Sequence, residues 1–141
     1  MAIPASNASK NVVTGASRGF GRHWVEAALA RGDRVAATAR DVDDLSDLAA
    51  RYRDKFLPLA LDVTDRGAVF ATVAEAHARL GRLDVVVSNA GYGLFGAVEE
   101  IDEAEARRQM EVNFFGGLSV IQAALPILRE QNAGQVLITS S

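Results

Sequence analysis

Cysteine is absent from the 141 residues, which excludes disulfides, thiolate metal sites and cysteine nucleophiles. Histidine is almost absent as well. His23 and His77 are the whole supply, too few for a histidine-built metal centre, so no metal is expected. There is no excess of one charge either. The 15 basic and 18 acidic residues leave a net charge of −3, and the basic ones are scattered, so nothing draws nucleic acid or an anionic membrane. No unbroken run approaches the roughly 18 apolar residues of a membrane span. Residues 1–10 (MAIPASNASK) hold no apolar stretch fit for a signal peptide. The expectation is a cytoplasmic protein without nucleic-acid or membrane partners. Proline occurs three times, and no Pro-, Gly- or Ser-rich linker, repeat or low-complexity tract divides the chain.

What is present is ordinary globular material, 49% hydrophobic and 23% charged, enough for one substantial core. Residues 1–9 read as a flexible arm and 10–141 as a single domain. Short apolar runs at 11–14, 34–39, 56–61, 83–87 and 135–139 alternate with helical patterns at 19–31, 43–52, 65–80 and 102–130. Phe20, Trp24 and Ala28 share one helical face, which assigns both aromatics to the core. Gly32 and Gly81 stand where helices end. Pro58 directs its strand to a sheet edge, and Pro126 is a place for the last helix to bend. The acidic run 41–47 (DVDDLSD) reads as a helix start rather than a calcium loop. Strand–helix alternation implies a doubly wound α/β fold: about five parallel strands joined by right-handed crossovers, with helices on both faces.

Thr14 to Gly21 reads TGASRGFG between the first strand and the first helix. Gly15 permits the tight turn, Gly19 lets backbone approach a pyrophosphate, and Gly21 allows close helix packing, with the phosphate on the positive end of the helix. At the second strand's end, where an NAD site wants a carboxylate, the sequence has Ala39 and then Arg40. With Arg18 in the glycine loop, two guanidinium groups suit the 2′-phosphate of NADP. The bland alternative pairs Arg40 with Asp41 or Asp43. The missing carboxylate also argues against a methyltransferase, which would need one for its cofactor's ribose.

The TGxxxGxG spacing resembles the short-chain dehydrogenase/reductase family; the resemblance runs from Lys10 onward and implies a Rossmann-type sheet in the order 3-2-1-4-5. Asp62-Val63 matches the family's Asp-Val pair, whose acid meets the adenine amine. Ser88-Asn89-Ala90-Gly91 matches Asn-Asn-Ala-Gly, with serine in place of the first asparagine. Asn113 matches the active-site asparagine, and LITSS at 137–141 matches the strand that delivers the catalytic serine. The resemblance implies NADP(H) held by Gly15, Ser17, Arg18, Gly19, Phe20, Gly21, Arg40, Asp62, Val63, Asn89, Ala90 and Gly91. It also implies hydride transfer to or from a ketone or secondary alcohol, with Ser141 polarising the carbonyl and Asn113 holding a water of the proton relay. In such enzymes a tyrosine and a lysine four residues apart follow the serine. Here the chain ends at Ser141, and Tyr52, Tyr92, Lys10 and Lys55 form no such pair.

Three expectations follow. The chain alone binds cofactor without turnover. Its fifth strand is an exposed edge with Leu137 and Ile138 uncovered, favouring self-association, where the complete family protein is a homo-oligomer. Residues 93–98 (GLFGAV) form one side of an apolar substrate pocket. The alternative is a non-catalytic NADP(H)-binding or sensor module.

Overall fold

Buried parallel strands are apolar on both faces, and the runs VV, VAATA and VVV supply such strands here. The computed structural model describes residues 8–140. β1 (Lys10–Val13), β2 (Arg34–Ala39), β3 (Phe56–Ala60), β4 (Val85–Ser88) and β5 (Gln135–Ile138) form one sheet in the order β3-β2-β1-β4-β5, and every pairing is parallel. Pro58 lies in the edge strand β3, where its missing N–H costs no second ladder.

The sheet's two faces have separate cores, and the alternation of side chains along each strand decides which residue serves which. Val12, Ala36 and Val86 pack with α3 (Arg66–Leu80) and α5 (Gly117–Gln131), among Val69, Val73, Val120 and Ala124. Their neighbours Val13, Val35, Ala37 and Val87 pack on the other side with Val25, Ala28, Leu29, Leu45 and Leu48. Those last residues belong to α1 (Gly19–Arg31) and to a 3₁₀ turn (Val42–Leu45) leading into α2 (Ser46–Tyr52). Asp41 accepts a hydrogen bond from Asp43 N–H (3.0 Å) at the start of that turn, so the acidic run is a helix start.

Three expectations need correction. Phe20 and Trp24 are not core residues: they are 69% and 39% exposed and stack on each other, ring centroids 5.8 Å apart. The buried face of α1 is Gly21, Val25, Ala28 and Leu29, a stripe at i, i+4, i+7, i+8 that Phe20 and Trp24 fall outside. The last helix does not run regularly from 102. α4 (Glu103–Met110) passes into a π-helical turn (Glu111–Gly116) before α5, and Pro126 is carried inside α5. Finally, Glu103–Gln131 contains an 18-residue window of mean hydropathy 1.4, long and apolar enough to cross a membrane by length and composition. A search for unbroken apolar runs misses it because polar residues are interspersed. In the fold Ser119, Val120, Ala123, Ala124 and Leu128 of this stretch are buried.

Candidate active site

Parallel strands place all their carboxyl ends on one side, and ligands of such sheets gather there. A groove of about 1470 Å³ opens along that side and is lined by Gly15, Ala39, Asp62, Asn89, Asn113 and Thr139, among others.

The glycine loop is held from both sides. Thr14 N–H donates to Val87 O (3.0 Å) and Ala16 N–H to Thr38 O (2.8 Å). Gly15 has φ +67, and a Cβ there would meet Ala90 Cα at 2.7 Å. A Cβ on Gly21 would lie 2.4 Å from both Asn89 Nδ2 and Gly15 O. Neither position has room for a side chain. Arg18 is the N-cap of α1 but offers no side-chain cap, and the first turn carries no acid. The helix therefore presents uncapped N–H groups and the positive end of its dipole to the groove, as an anion site requires. Ser17, Arg18, Gly19 and Phe20 line it.

Asn89 ties three strand ends together. Its Nδ2 donates to Thr14 O (3.1 Å) and Gly15 O (3.0 Å), and its Oδ1 accepts from Thr139 Oγ1 (3.1 Å). Asn89 N–H and Ala90 N–H both donate to Thr14 Oγ1, at 3.0 and 3.2 Å. Sequence reasoning picked Asn89, Ala90 and Gly91 but not Thr14 or Thr139 as their partners. The one available signal was that each threonine sits at the last position of an apolar run. Ser88, the departure from the family pattern, is buried, and its carbonyl accepts from Thr139 N–H (3.0 Å).

At the exit of β2, Ala39 is buried and Arg40 exposed. Arg40, Arg18 and Ser17 line a small pocket with Asp41 and Asp44. Among the described residues neither Arg18 nor Arg40 makes an ion pair, so the pairing of Arg40 with Asp41 or Asp43 is not formed. Asp62 accepts from Thr64 N–H (3.0 Å) and Thr64 Oγ1 (2.8 Å). These bonds, aided by the charge of Arg40 and opposed by burial, hold its carboxyl below the usual carboxylate range. Val63 is buried beside it and also lines the groove.

Asn113 lies within the π-helical turn, a geometry often found at functional positions. Its Nδ2 donates to Tyr92 O (2.8 Å) and its Oδ1 accepts from Tyr92 N–H (3.0 Å). Gln109 Nε2 donates to the same carbonyl (3.1 Å). Asn113 thereby fixes the turn that follows Gly91, and retains one N–H and one lone pair for another partner. Gly93, Leu94 and Phe95 line the groove, while Gly96, Ala97 and Val98 do not. Thr139 and Ser140 line it at the β5 end. Ser141 lies outside the described residues.

The family model for short chain dehydrogenase matches residues 10–141. The chain belongs to the short-chain dehydrogenase family. It is 45% identical over 130 residues to oxidoreductase BOA17 of Botryotinia fuckeliana, covering 92% of this chain and 47% of that protein. A short-chain dehydrogenase from Streptomyces avermitilis superposes with a TM-score of 0.92 at 45% identity, covering 96% of this chain and 50% of that one. An alcohol dehydrogenase from the archaeon Thermococcus sibiricus, complexed with 5-hydroxy-NADP, gives 0.88 at 34% identity over 96% and 59%. The chain thus spans about half the length of these relatives. Short-chain dehydrogenases bind a nicotinamide cofactor, and the residues of this groove fit that group. The uncapped start of α1 and the two glycines that admit no Cβ leave a cradle into which a pyrophosphate would fit.

Proposed function

We propose that the chain is the cofactor-binding portion of an NADP(H)-dependent oxidoreductase that interconverts a ketone and a secondary alcohol. The observation that carries the cofactor choice is the pocket at the exit of β2. There Arg18 and Arg40 stand without ion-pair partners, and Ala39 occupies the place of the carboxylate that an NAD site needs. The NADP analogue bound to the Thermococcus relative supports the same choice.

In this reading Gly15, Gly19 and Gly21 let the backbone approach the pyrophosphate, and Ser17, Phe20 and the start of α1 flank it. Arg18 and Arg40 neutralise the 2′-phosphate, Asp62 and Val63 border the adenine, and Asn89, Ala90 and Gly91 border the nicotinamide ribose. When bound, the nicotinamide gives or takes the hydride. Asn113 acts from the side of the reacting carbon: it fixes the backbone at Tyr92 and keeps a donor and an acceptor free to hold a water. Ser141, directly after the groove-lining Thr139 and Ser140, supplies the hydroxyl that polarises the carbonyl. Leu94 and Phe95 give that end of the groove an apolar wall. A polypeptide of these 141 residues binds cofactor without turning over carbonyls in this reading, because no tyrosine and lysine stand four apart in it and a lost acid catalyst costs about 10²–10⁴ in rate.

Titration with NADPH and NADH, followed by cofactor fluorescence, tests the cofactor assignment. NADPH is expected to bind at least about tenfold tighter, and Arg40→Ala to remove most of that margin, since a charge-assisted hydrogen bond contributes roughly 1.5–3 kcal/mol. Equal affinity for the two cofactors would refute it.

A further inference from the structure

The pocket at the exit of β2 has two walls made by different elements. Ser17 and Arg18 come from the glycine loop, whereas Arg40, Asp41 and Asp44 come from the end of β2 and the turn after it. Ala16 N–H, bonded to Thr38 O, fixes the loop against β2. Leu45 and Leu48 bury the base of the outer turn in the core. Neither contact sets how far the exposed rim of that turn stands from α1.

Arg22 spans this gap. It sits one turn into α1 and is partly buried, with a side-chain exposure of 22%. Its Nε donates to Glu26 Oε1 (3.0 Å) on its own helix. Across the gap its Nη1 donates to the main-chain oxygen of Asp44 (3.3 Å), and its Nη2 pairs with the Asp47 carboxylate. A guanidinium holds these directions at once because its donors are fixed in one plane; an ammonium group has no such fork. Arg22 and Asp47 do not line the pocket, while Asp44 does.

We propose that Arg22 is a positioning residue for the 2′-phosphate end of the cofactor site. It clamps the Asp41–Asp44 rim to α1, and so sets the separation between Arg18 on one wall and Arg40 and Asp44 on the other. The proposal rests on the NADP(H) assignment. Its effect is on discrimination: the adenosine phosphate of NADPH meets both walls, whereas NADH leaves the outer wall unused.

The test measures Kd for NADPH and NADH in the full protein and in R22Q, R22K and D47N, with thermal unfolding of each recorded. R22Q is expected to weaken NADPH about tenfold and leave NADH within about twofold, the scale of coupling between contacting groups. R22K should fall between R22Q and the unsubstituted protein. D47N separates positioning from simple charge. Removing an exposed carboxylate makes the region more positive and would tighten NADPH if Arg22 acted only as a nearby cation, but loss of the clamp weakens it, by about threefold. D47N also keeps the test alive if R22Q fails to fold. Tighter NADPH binding by D47N, or equal weakening of both cofactors by R22Q, overturns the proposal. An unsubstituted protein without NADPH preference refutes the cofactor assignment and the proposal with it. That outcome is distinct from a retained preference that R22Q does not change.

Discussion

β4 has a neighbour on each side, and the two could hardly differ more. β1 is buried over most of its length, and at its end Thr14, Gly15 and Gly21 meet Asn89 and Ala90 with no space for one more carbon. β5 carries Leu137 and Ile138 at 51% and 60% exposure and reaches Asn89 through a single side-chain bond from Thr139. Both strands keep their main-chain ladders with β4. The ladders therefore do not separate the two sides; packing and the side-chain ties of Asn89 do. In the reading proposed above, stiffness sits where backbone would meet a cofactor's phosphates, and the open side faces the end of the groove lined by Thr139 and Ser140.

Substitutions can break or sharpen that contrast. Gly21→Ala should be the most damaging, because its Cβ meets a backbone oxygen and the Asn89 amide at 2.4 Å. A loss of about 3 kcal/mol or more is expected, beyond ordinary overpacking, with NADPH binding abolished. Calorimetry and a cofactor titration measure the two effects, and a stable, binding-competent variant would show that the helix can retreat from the loop. Asn89→Ala comes next. It leaves the carbonyls of Thr14 and Gly15 without their side-chain donor and is expected to cost about 2–3 kcal/mol. Denaturant unfolding would read this, and a loss below about 0.5 kcal/mol would mean that other donors reach those carbonyls. The smallest effects compare strand with strand. Val86→Ala, at a fully buried position of β4, should cost about 2 kcal/mol, whereas Leu137→Ala on exposed β5 should stay within about 0.5 kcal/mol. Similar values for the two would mean that β5 is covered in solution, by self-association along its edge.

Much of this was legible from the sequence. Strand–helix alternation carried the parallel sheet, the family resemblance carried its order, and the glycine loop with Asp62, Asn89 and Asn113 located the groove, because these residues lie close to where the strands deliver them. The errors share a physical cause. Periodicity shows which residues share a helical face, not which face the fold turns to the sheet. The small Gly21 and Ala28 therefore won the core of α1, and the larger Phe20 and Trp24 were left outside. The π-helical turn around Asn113 has no compositional mark, and a helix-like pattern passes straight through it. Arg22 was equally hidden, since its partner Asp47 lies 25 residues away and nothing in either neighbourhood announces the other.

The attachment of β5 through Thr139 has a consequence for how the domain breathes. Asn89 can lose Thr139 and still hold Thr14 and Gly15, but β1 cannot leave without dismantling the glycine loop, the buried face of α1 and both sheet cores. Opening is therefore ordered. In a polypeptide of these 141 residues the amides of β5 are expected to exchange with solvent through local detachment, at a free-energy cost well under that of global unfolding, and those of β1 only when the whole domain comes apart. The glycine loop is thus expected to outlast the fifth strand.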